Sequence, residues 1–373
     1  HGPMRIALVH YTAVPVIGGV EQVLAAHARL FREAGHEVTV LAEWSQLPPA
    51  YSPRVAALRA WMKPKLAEQA VVFLHNVATM HFDLALTAVL WEIAAELPDV
   101  RFIAWVHDLA ACNPDYVLPS PENSPASLLR RANPRFAYVA VSERRKQQLI
   151  ALADLPESDC LVIPNGVDPA EVLDLAPRIR RLEAECRLFD RDILLLQPAR
   201  LLRRKNVELT LEVTACLQAQ QRSCACLITA PPDVHHAASR EYAEELKLLV
   251  GQLGLQDDAF FLDELPPLDA AEMRSLFQLA DALFFPSRQE GFGIPLLEAG
   301  LHRLPIFCAE IDPLTSLLPE ATFPFSLSKP PAELASELIA RLEADVRHQA
   351  RKQTLRDFSW RAIYRNFLAR LLG

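Results

Sequence analysis

No apolar run in this chain reaches the roughly 18 residues that a membrane-spanning helix needs, so no segment is expected to cross a bilayer. No C-x-x-C pair occurs, and the cysteines are odd in number: Cys112, Cys160, Cys186, Cys216, Cys224, Cys226 and Cys308. That argues against a disulfide framework and against a structural zinc site. Cys224 and Cys226 stand two apart in an apolar run, which in a strand turns both to one face as core thiols. Positive charge is not in excess either. The net charge of −8 excludes a nucleic-acid binder that works through a broad basic face. Neither domain's opening strand is followed by G-x-G-x-x-G, and no G-x-x-x-x-G-K-[ST] loop is present. A nicotinamide dehydrogenase and a nucleoside triphosphatase are disfavoured accordingly. His1, Gly2 and Pro3 read as a remnant ahead of Met4, the expected native start. Residues 5–10 are too short and too poorly flanked for a signal peptide, so the expected location is cytoplasmic.

What is present is the pattern of two α/β domains. The 373 residues are 51% hydrophobic and 23% charged, an ordinary balance for sizeable cores. Short runs rich in Val, Ile and Leu alternate with longer amphipathic stretches, as in βα units of a parallel sheet buried on both faces. In the first half the strands are expected at 5–10, 37–42, 71–75, 101–106, 137–141 and 160–163, with helices at 20–34, 81–96 and 142–153. The pattern restarts at Ile193, with a helix near 206–221 and strands at 225–229, 259–262, 282–285 and 304–308. The stretch 165–191 is the junction. We expect two doubly wound, Rossmann-like domains, 4–178 and 179–356, facing each other across a cleft. A C-terminal helix, 357–373, would pack back on the first. Ligands in such folds bind beyond the carboxyl ends of the strands. The loop 108–127, with Pro114, Pro119, Pro121 and Pro125, is long enough for a lid or binding loop.

Chemistry concentrates after those strands. Residues 286–299 read P-S-R-Q-E-G-F-G-I-P-L-L-E-A. A buried strand runs into a turn with Gly291 and Gly293, which let the backbone approach a ligand and aim N–H groups at an anion. Pro295 suits the first turn of the next helix. Glu290 and Glu298 can both face the cleft, where a carboxylate accepts hydrogen bonds from paired sugar hydroxyls. Arg200 and Lys205 follow the first strand of the second domain and can converge on one diphosphate, Arg as a fork and Lys as a point charge. Gly18 and Gly19, with Glu21 behind them, form a glycine turn opening a helix, able to hold a phosphate. His107 and Asp108 end a strand at the cleft. Asp108 would either orient the imidazole or cap a turn. His75 and Asn76 follow the third strand. Ser142 reads as a helix N-cap, and residues 165–168 as a turn near the hinge.

With these motifs in order along roughly residues 5–310, the chain resembles the GT4 family of retaining glycosyltransferases with the GT-B fold, the glycosyl transferases group 1. The E-x7-E pair, Glu290 and Glu298, carries the resemblance. It implies that Glu298 binds the donor ribose, that Glu290 with the backbone at Phe292 and Gly293 binds the donor sugar, with Gly291 and Ile294 also at the donor, and that Arg200 and Lys205 stabilise the leaving diphosphate. It implies a donor-sugar contact for His107 and places the Gly18–Gly19 turn near the donor phosphate and the acceptor. Acceptor contacts would fall to Glu21, His75, Asn76 and Asp108. The chain departs from the family at Ala199, Asn206 and Arg303, which stand where glycine is usual, at His302, and in the turns 229–233 and 310–314.

The resemblance implies a hexosyltransferase that moves a sugar from a UDP- or GDP-sugar to a hydroxyl of a sugar or lipid-linked acceptor, retaining configuration. No D-x-D appears where a metal-dependent transferase would need one, so neither metal nor cofactor is expected, the nucleotide sugar being a substrate. A GT-B epimerase or phosphorylase, and a non-catalytic sugar-nucleotide binder, stay as alternatives. Val55, Leu58, Met62 and Leu66 fall at helical spacing among Arg54, Arg59, Lys63 and Lys65. That stretch is open to two readings, a surface helix packed on its own domain or an interfacial helix at the inner face of the membrane.

Overall fold

The computed structural model describes residues 2–16, 18–42, 50–120, 124–229, 237–262 and 267–373, the side chains of 237 and 238 excepted. Pro121 and the turn residues 230–233 lie outside the described residues. The chain divides into two compact units, His1–Val167 with Phe358–Gly373, and Asp168–Asp357. The division falls ahead of residue 178 because Ala170 and Leu175 are packed in a core with Leu194, Leu196 and Phe285 of the second unit.

In the first unit six parallel strands, β1 (Arg5–Val9), β2 (Glu37–Leu41), β3 (Val71–His75), β4 (Arg101–Val106), β5 (Phe136–Ala140) and β6 (Cys160–Val162), lie in the order β2-β1-β3-β4-β5-β6. The period-2 alternation of side chains sends each strand to two cores. Ile6 and Leu8 meet Val23, Leu24 and Phe31 of the helix Gly19–Glu33 on one face. Ala7 and Val9 meet Leu58, Met62 and Leu86 on the other. Leu58, Met62 and Leu66 of the helix Tyr51–Ala67 are fully buried, so the stripe considered for a lipid surface is turned into the core. Three of its four cations are paired with acids as well: Arg54 pairs with Asp83, and Arg59 and Lys63 pair with Glu92 and Glu96 of the helix Leu84–Glu96. No helix among the described residues is long and apolar enough to cross a membrane.

The end of the chain returns to this unit. The Val167 N–H donates to the Phe358 carbonyl at 2.8 Å and the Trp360 N–H to the Val167 carbonyl at 2.9 Å. Ile363, Leu368 and Leu371 then join the core beside Ile6 and Phe31. A Cβ on Gly166 would lie 2.7 Å from the Trp360 ring, so the glycine of the 165–168 turn makes room for this helix. Asp168 accepts from the Ala170 and Glu171 N–H groups as a helix cap and pairs with Arg180.

The second unit holds β7 (Ile193–Gln197), β8 (Cys224–Ile228), β9 (Ala259–Phe261), β10 (Ala282–Phe285), β11 (Ile306–Ala309) and β12 (Thr322–Phe325). Their order is β12-β11-β10-β7-β8-β9, a Rossmann order. Cys224 and Cys226 are buried in its core, and burial pushes both thiols up to about 12. They are inert packing groups.

Candidate active site

Each sheet reverses its strand order beside the first strand of its unit, between β1 and β3 in one and between β7 and β10 in the other. Loops leaving such neighbours diverge to opposite faces and open a crevice at the carboxyl ends. The residues singled out in the sequence gather at these two crevices, one in each unit.

In the first unit, β1, β3, β4 and the start of the helix Gly19–Glu33 enclose a cavity of about 320 Å³, with His10, Thr12, Gly19, Glu21, Asn76, His107 and Asp108 on its polar side. Tyr11, Phe82 and Tyr116 form the apolar side, with Phe82 exposed and edge-on to Tyr11 at 5.4 Å. A Cβ on Gly18 would lie 2.1 Å from Glu21 Oε2. Glycine at 18 is therefore what lets the carboxylate fold back over the helix start, while a side chain at Gly19 would meet nothing. The Thr12 hydroxyl donates to Glu21 Oε1, and His10 Nε2 stands 3.7 Å from the same atom. Burial pushes the Glu21 carboxyl up, but the Thr12 hydroxyl, its own backbone N–H and the nearby His10 and His107 outweigh that and leave it below the usual range.

Asn76 has φ 61°, in the left-handed region that asparagine tolerates. That turn aims its Oδ1 back at β4, where it accepts from the N–H groups of His107 at 2.8 Å and Asp108 at 3.1 Å. Asp108 Oδ1 accepts from the Leu109 N–H at 2.8 Å and pairs with Arg145 at 3.0 Å. Of the two roles weighed for Asp108, turn cap and ring orienter, the structure shows the cap. His75, expected at the acceptor, is 0% exposed and does not line the cavity; its ring meets the lining at His107, whose Nε2 lies 3.2 Å from its Nδ1. Strand β3 turns this residue inward beneath the cavity floor. Desolvation holds His107 down at about 4 and His75 well below the ordinary histidine value. His10, whose Nδ1 lies 2.8 Å from the His75 carbonyl oxygen, and the buried His27 went unnoticed in the sequence. A lone histidine has no signal there until topology gathers several.

In the second unit the loops after β7 and β10 are stitched together. The Arg288 N–H donates to the Arg204 carbonyl at 2.7 Å, Asn206 Nδ2 to the Pro286 carbonyl at 3.1 Å, and Arg288 to Asn206 Oδ1 at 2.8 Å. Gln197 Nε2 holds the Lys205 carbonyl at 2.8 Å. The Lys205 ammonium, over the Phe285 ring, donates to Glu290 Oε1. Their side chains are 12% and 8% exposed. The side chains of Arg200 and Glu298 are exposed, with no hydrogen-bond or ion-pair partner among the described residues, while their carbonyls accept from the Leu202 and His302 N–H groups within the chain. Phe292 and Ile294 are exposed too. Asn206 and Arg303, which replace the usual glycines, have φ 55° and 57°. The left-handed turns are kept, at a strain that glycine would avoid. His302 stacks on Phe277 at 5.4 Å.

Gly293 has φ 108°, and a Cβ there would lie 2.7 Å from Leu314 Cδ2. Gly293→Ala should therefore cost about 2 kcal/mol from the strained backbone alone and displace the start of the helix Ile294–Leu301. Gly291→Ala, whose Cβ would meet nothing, is the control. Equal urea midpoints for the two variants would refute this account of the turn.

The family model for glycosyl transferases group 1 matches residues 179–355, and that for glycosyltransferase family 4 matches residues 17–171. Mannosylglucosylglycerate synthase of Thermotoga maritima is 21% identical over 360 residues, covering 83% of this chain and 81% of that protein. The D-inositol 3-phosphate glycosyltransferase of Kineococcus radiotolerans is 25% identical over 258 residues, covering 64% of this chain and 56% of that protein. Among solved structures, Anabaena HepE in complex with UDP and glucose is 18% identical and covers 99% of each chain, with a TM-score of 0.39.

Proposed function

Since the chain belongs to the GT4 family of group 1 glycosyltransferases and is a hexosyltransferase, we propose that it moves a hexosyl group from a UDP- or GDP-sugar to a hydroxyl acceptor, retaining configuration and needing no metal ion. The observation that carries this is the meeting of Lys205 and Glu290 at the strand reversal of the second unit. A cation suited to a diphosphate and a carboxylate suited to sugar hydroxyls are fixed there in one crevice. Glu298 would take the ribose, Glu290 and the backbone at residues 291–294 the sugar, and Arg200 with Lys205 the diphosphate. His107 would touch the donor sugar, and the first unit's cavity, with Glu21 and Asn76, would serve the acceptor.

In the reaction the bond from the sugar C1 to the β-phosphate oxygen breaks and a bond from C1 to the acceptor oxygen forms on the same face. The acceptor proton passes to the departing phosphate. Arg200 and Lys205 stabilise the charge that grows on that phosphate. The D-x-D of this chain, Asp190–Asp192, precedes β7 at the amino end of the strands, opposite the crevice, where Asp192 accepts from the Ser223 N–H at 2.8 Å. It is spent on the fold.

A panel of UDP-, GDP- and other nucleotide sugars tests the donor. A true donor at a hundredfold its Kd should stabilise the fold by about 2.7 kcal/mol, read as a rise in Tm, and transfer should continue in EDTA. If no nucleotide sugar shifts the Tm, the donor assignment fails. If EDTA stops transfer and a divalent ion restores it, the metal-free reading fails.

A further inference from the structure

We propose that His75 is a positioning residue that locks the tautomer of His107, so that the imidazole in the cavity offers Nδ1–H as a donor and its Nε2 is closed to a ligand. The contact itself requires a choice. His75 Nδ1 and His107 Nε2 lie 3.2 Å apart, with the rings 27° from parallel, and one nitrogen must carry the proton between them.

The surroundings of His75 decide which. Its other nitrogen, Nε2, is buried and has no partner. The ring is stacked on Trp105 at 5.9 Å, with His27 at 5.3 Å. If His107 donated, a neutral His75 would have to carry its proton on Nε2, leaving an N–H donor orphaned among rings. If His75 donates, only a lone pair is left without a partner. Orphaned buried N–H groups are the rarer and costlier arrangement. His75 therefore carries its proton on Nδ1 and gives it to His107 Nε2, and a neutral His107 carries its own proton on Nδ1.

The rest of the site holds His107 in that state. Asn76 and Arg145 fix its backbone from both sides, at the N–H and at the carbonyl. The titratable and charged groups around it are His10, Glu21, His27, His75 and the Asp108–Arg145 pair. Glu21 favours a charge on His107, while desolvation and His10 oppose it and prevail. Protonating His107 at Nε2 would also force His75 into the orphaned tautomer. A donor that stays neutral suits the proposed reaction, in which positive charge grows at the sugar carbon and an imidazolium nearby would oppose it. That last step rests on the proposed function, while the tautomer does not.

Two-bond ¹H–¹⁵N correlation spectra of the full chain labelled with ¹⁵N-histidine, with His107 assigned by loss of its signals in His107→Gln, test the proposal without any donor. At neutral pH, His107 should show a protonated Nδ1 and an unprotonated Nε2. In His75→Phe it should become a mixture of tautomers, and in His75→Gln, whose amide N–H can still donate to Nε2, it should remain locked. Where transfer is measurable, His75→Phe should lower kcat roughly tenfold, the low end of the loss seen when the outer partner of a metal-bound histidine is removed, with the donor KM unchanged and rescue by His75→Gln. A wild-type His107 protonated on Nε2 overturns the proposal, and so does a tautomer unmoved in a folded His75→Phe. If His75→Phe does not fold, the wild-type spectrum alone decides. A locked tautomer in a chain that transfers no sugar would remove the proposed function and leave this inference standing.

Discussion

Alanine at Lys205 or at Glu290 should cost this protein turnover and stability together, and a double variant should separate the two. Each side chain is nearly buried, and each is the other's partner. Removing one leaves a desolvated charge behind, which destabilises by about 3 kcal/mol when a buried pair is broken. Arg204, with Nη1 3.7 Å from Glu290 Oε2 and far more exposed, recovers only part of this for Lys205→Ala. Turnover should fall by roughly a hundredfold to a thousandfold, the loss seen when one group that stabilises transition-state charge is removed. In Lys205→Met with Glu290→Gln neither charge is stranded, so the urea midpoint should return close to wild type while transfer stays lost. A double variant that regains both stability and transfer would make the pair a structural ion pair only. Singles that keep full transfer would remove both residues from the site.

The sequence carried the strands well because parallel strands buried on both faces leave unbroken apolar runs, as at residues 71–74 and 193–196. It did not carry β12. The run at Thr322–Phe325 contains Pro324, which argues against a central strand, and β12 is the edge of its sheet, where proline is tolerated. The stripe of Leu58, Met62 and Leu66 was visible as a helix face, but spacing does not say what a face is packed against. Asp281 is a sharper case. It looks like a polar residue closing a loop before β10, yet its side chain is 1% exposed, accepts from the Leu194 N–H at 2.8 Å and pairs with Lys352 at 2.6 Å. Nothing local marks a partner 71 residues away.

The same limit applies to the site. Each E-x7-E glutamate was legible on its own, as were Arg200 and Lys205. Which of them touch depends on β7 and β10 being neighbours, and that is a property of strand order. Two departures from the family pattern, Asn206 and Arg303, stand where glycine is usual. The backbone kept both turns and changed only the residue that bears them.

The histidines under the first unit's cavity lead to the other large expected effect, a loss of stability in mild acid concentrated in that unit, where four such rings lie against one, His348, in the second. His27 is held down at about 3 and His107 at about 4, with His75 well below and His10 below the ordinary value, in each case chiefly because burial penalises the charged ring. A histidine depressed in the fold stays neutral there while the unfolded chain takes up a proton below about pH 6.5. Above that pH these groups contribute nothing. Below it the unfolded state binds more protons, so stability falls with pH until the folded values are passed. The slope is at most about 1.4 kcal/mol per pH unit for each group. At pH 5 that is about 2 kcal/mol each for His27 and His107, on the order of 4 kcal/mol together, with His75 and His10 acting in the same direction, a large fraction of the stability of a domain. Every tryptophan of the chain falls within the residue ranges of the first unit, so tryptophan fluorescence follows that unit alone in urea. Its midpoint should hold from pH 8 to 7 and drop steeply between 6.5 and 5. His27 has no partner for either ring nitrogen and packs on Trp105 at 4.7 Å and Trp360 at 5.6 Å. His27→Phe should therefore keep stability at pH 8 and remove about 2 kcal/mol of the acid loss at pH 5. A midpoint that is level from pH 8 to 5, or an acid loss unchanged in His27→Phe, would mean that these rings gain partners or water on protonation, and that the cluster is not the dry, neutral floor on which His107 is set.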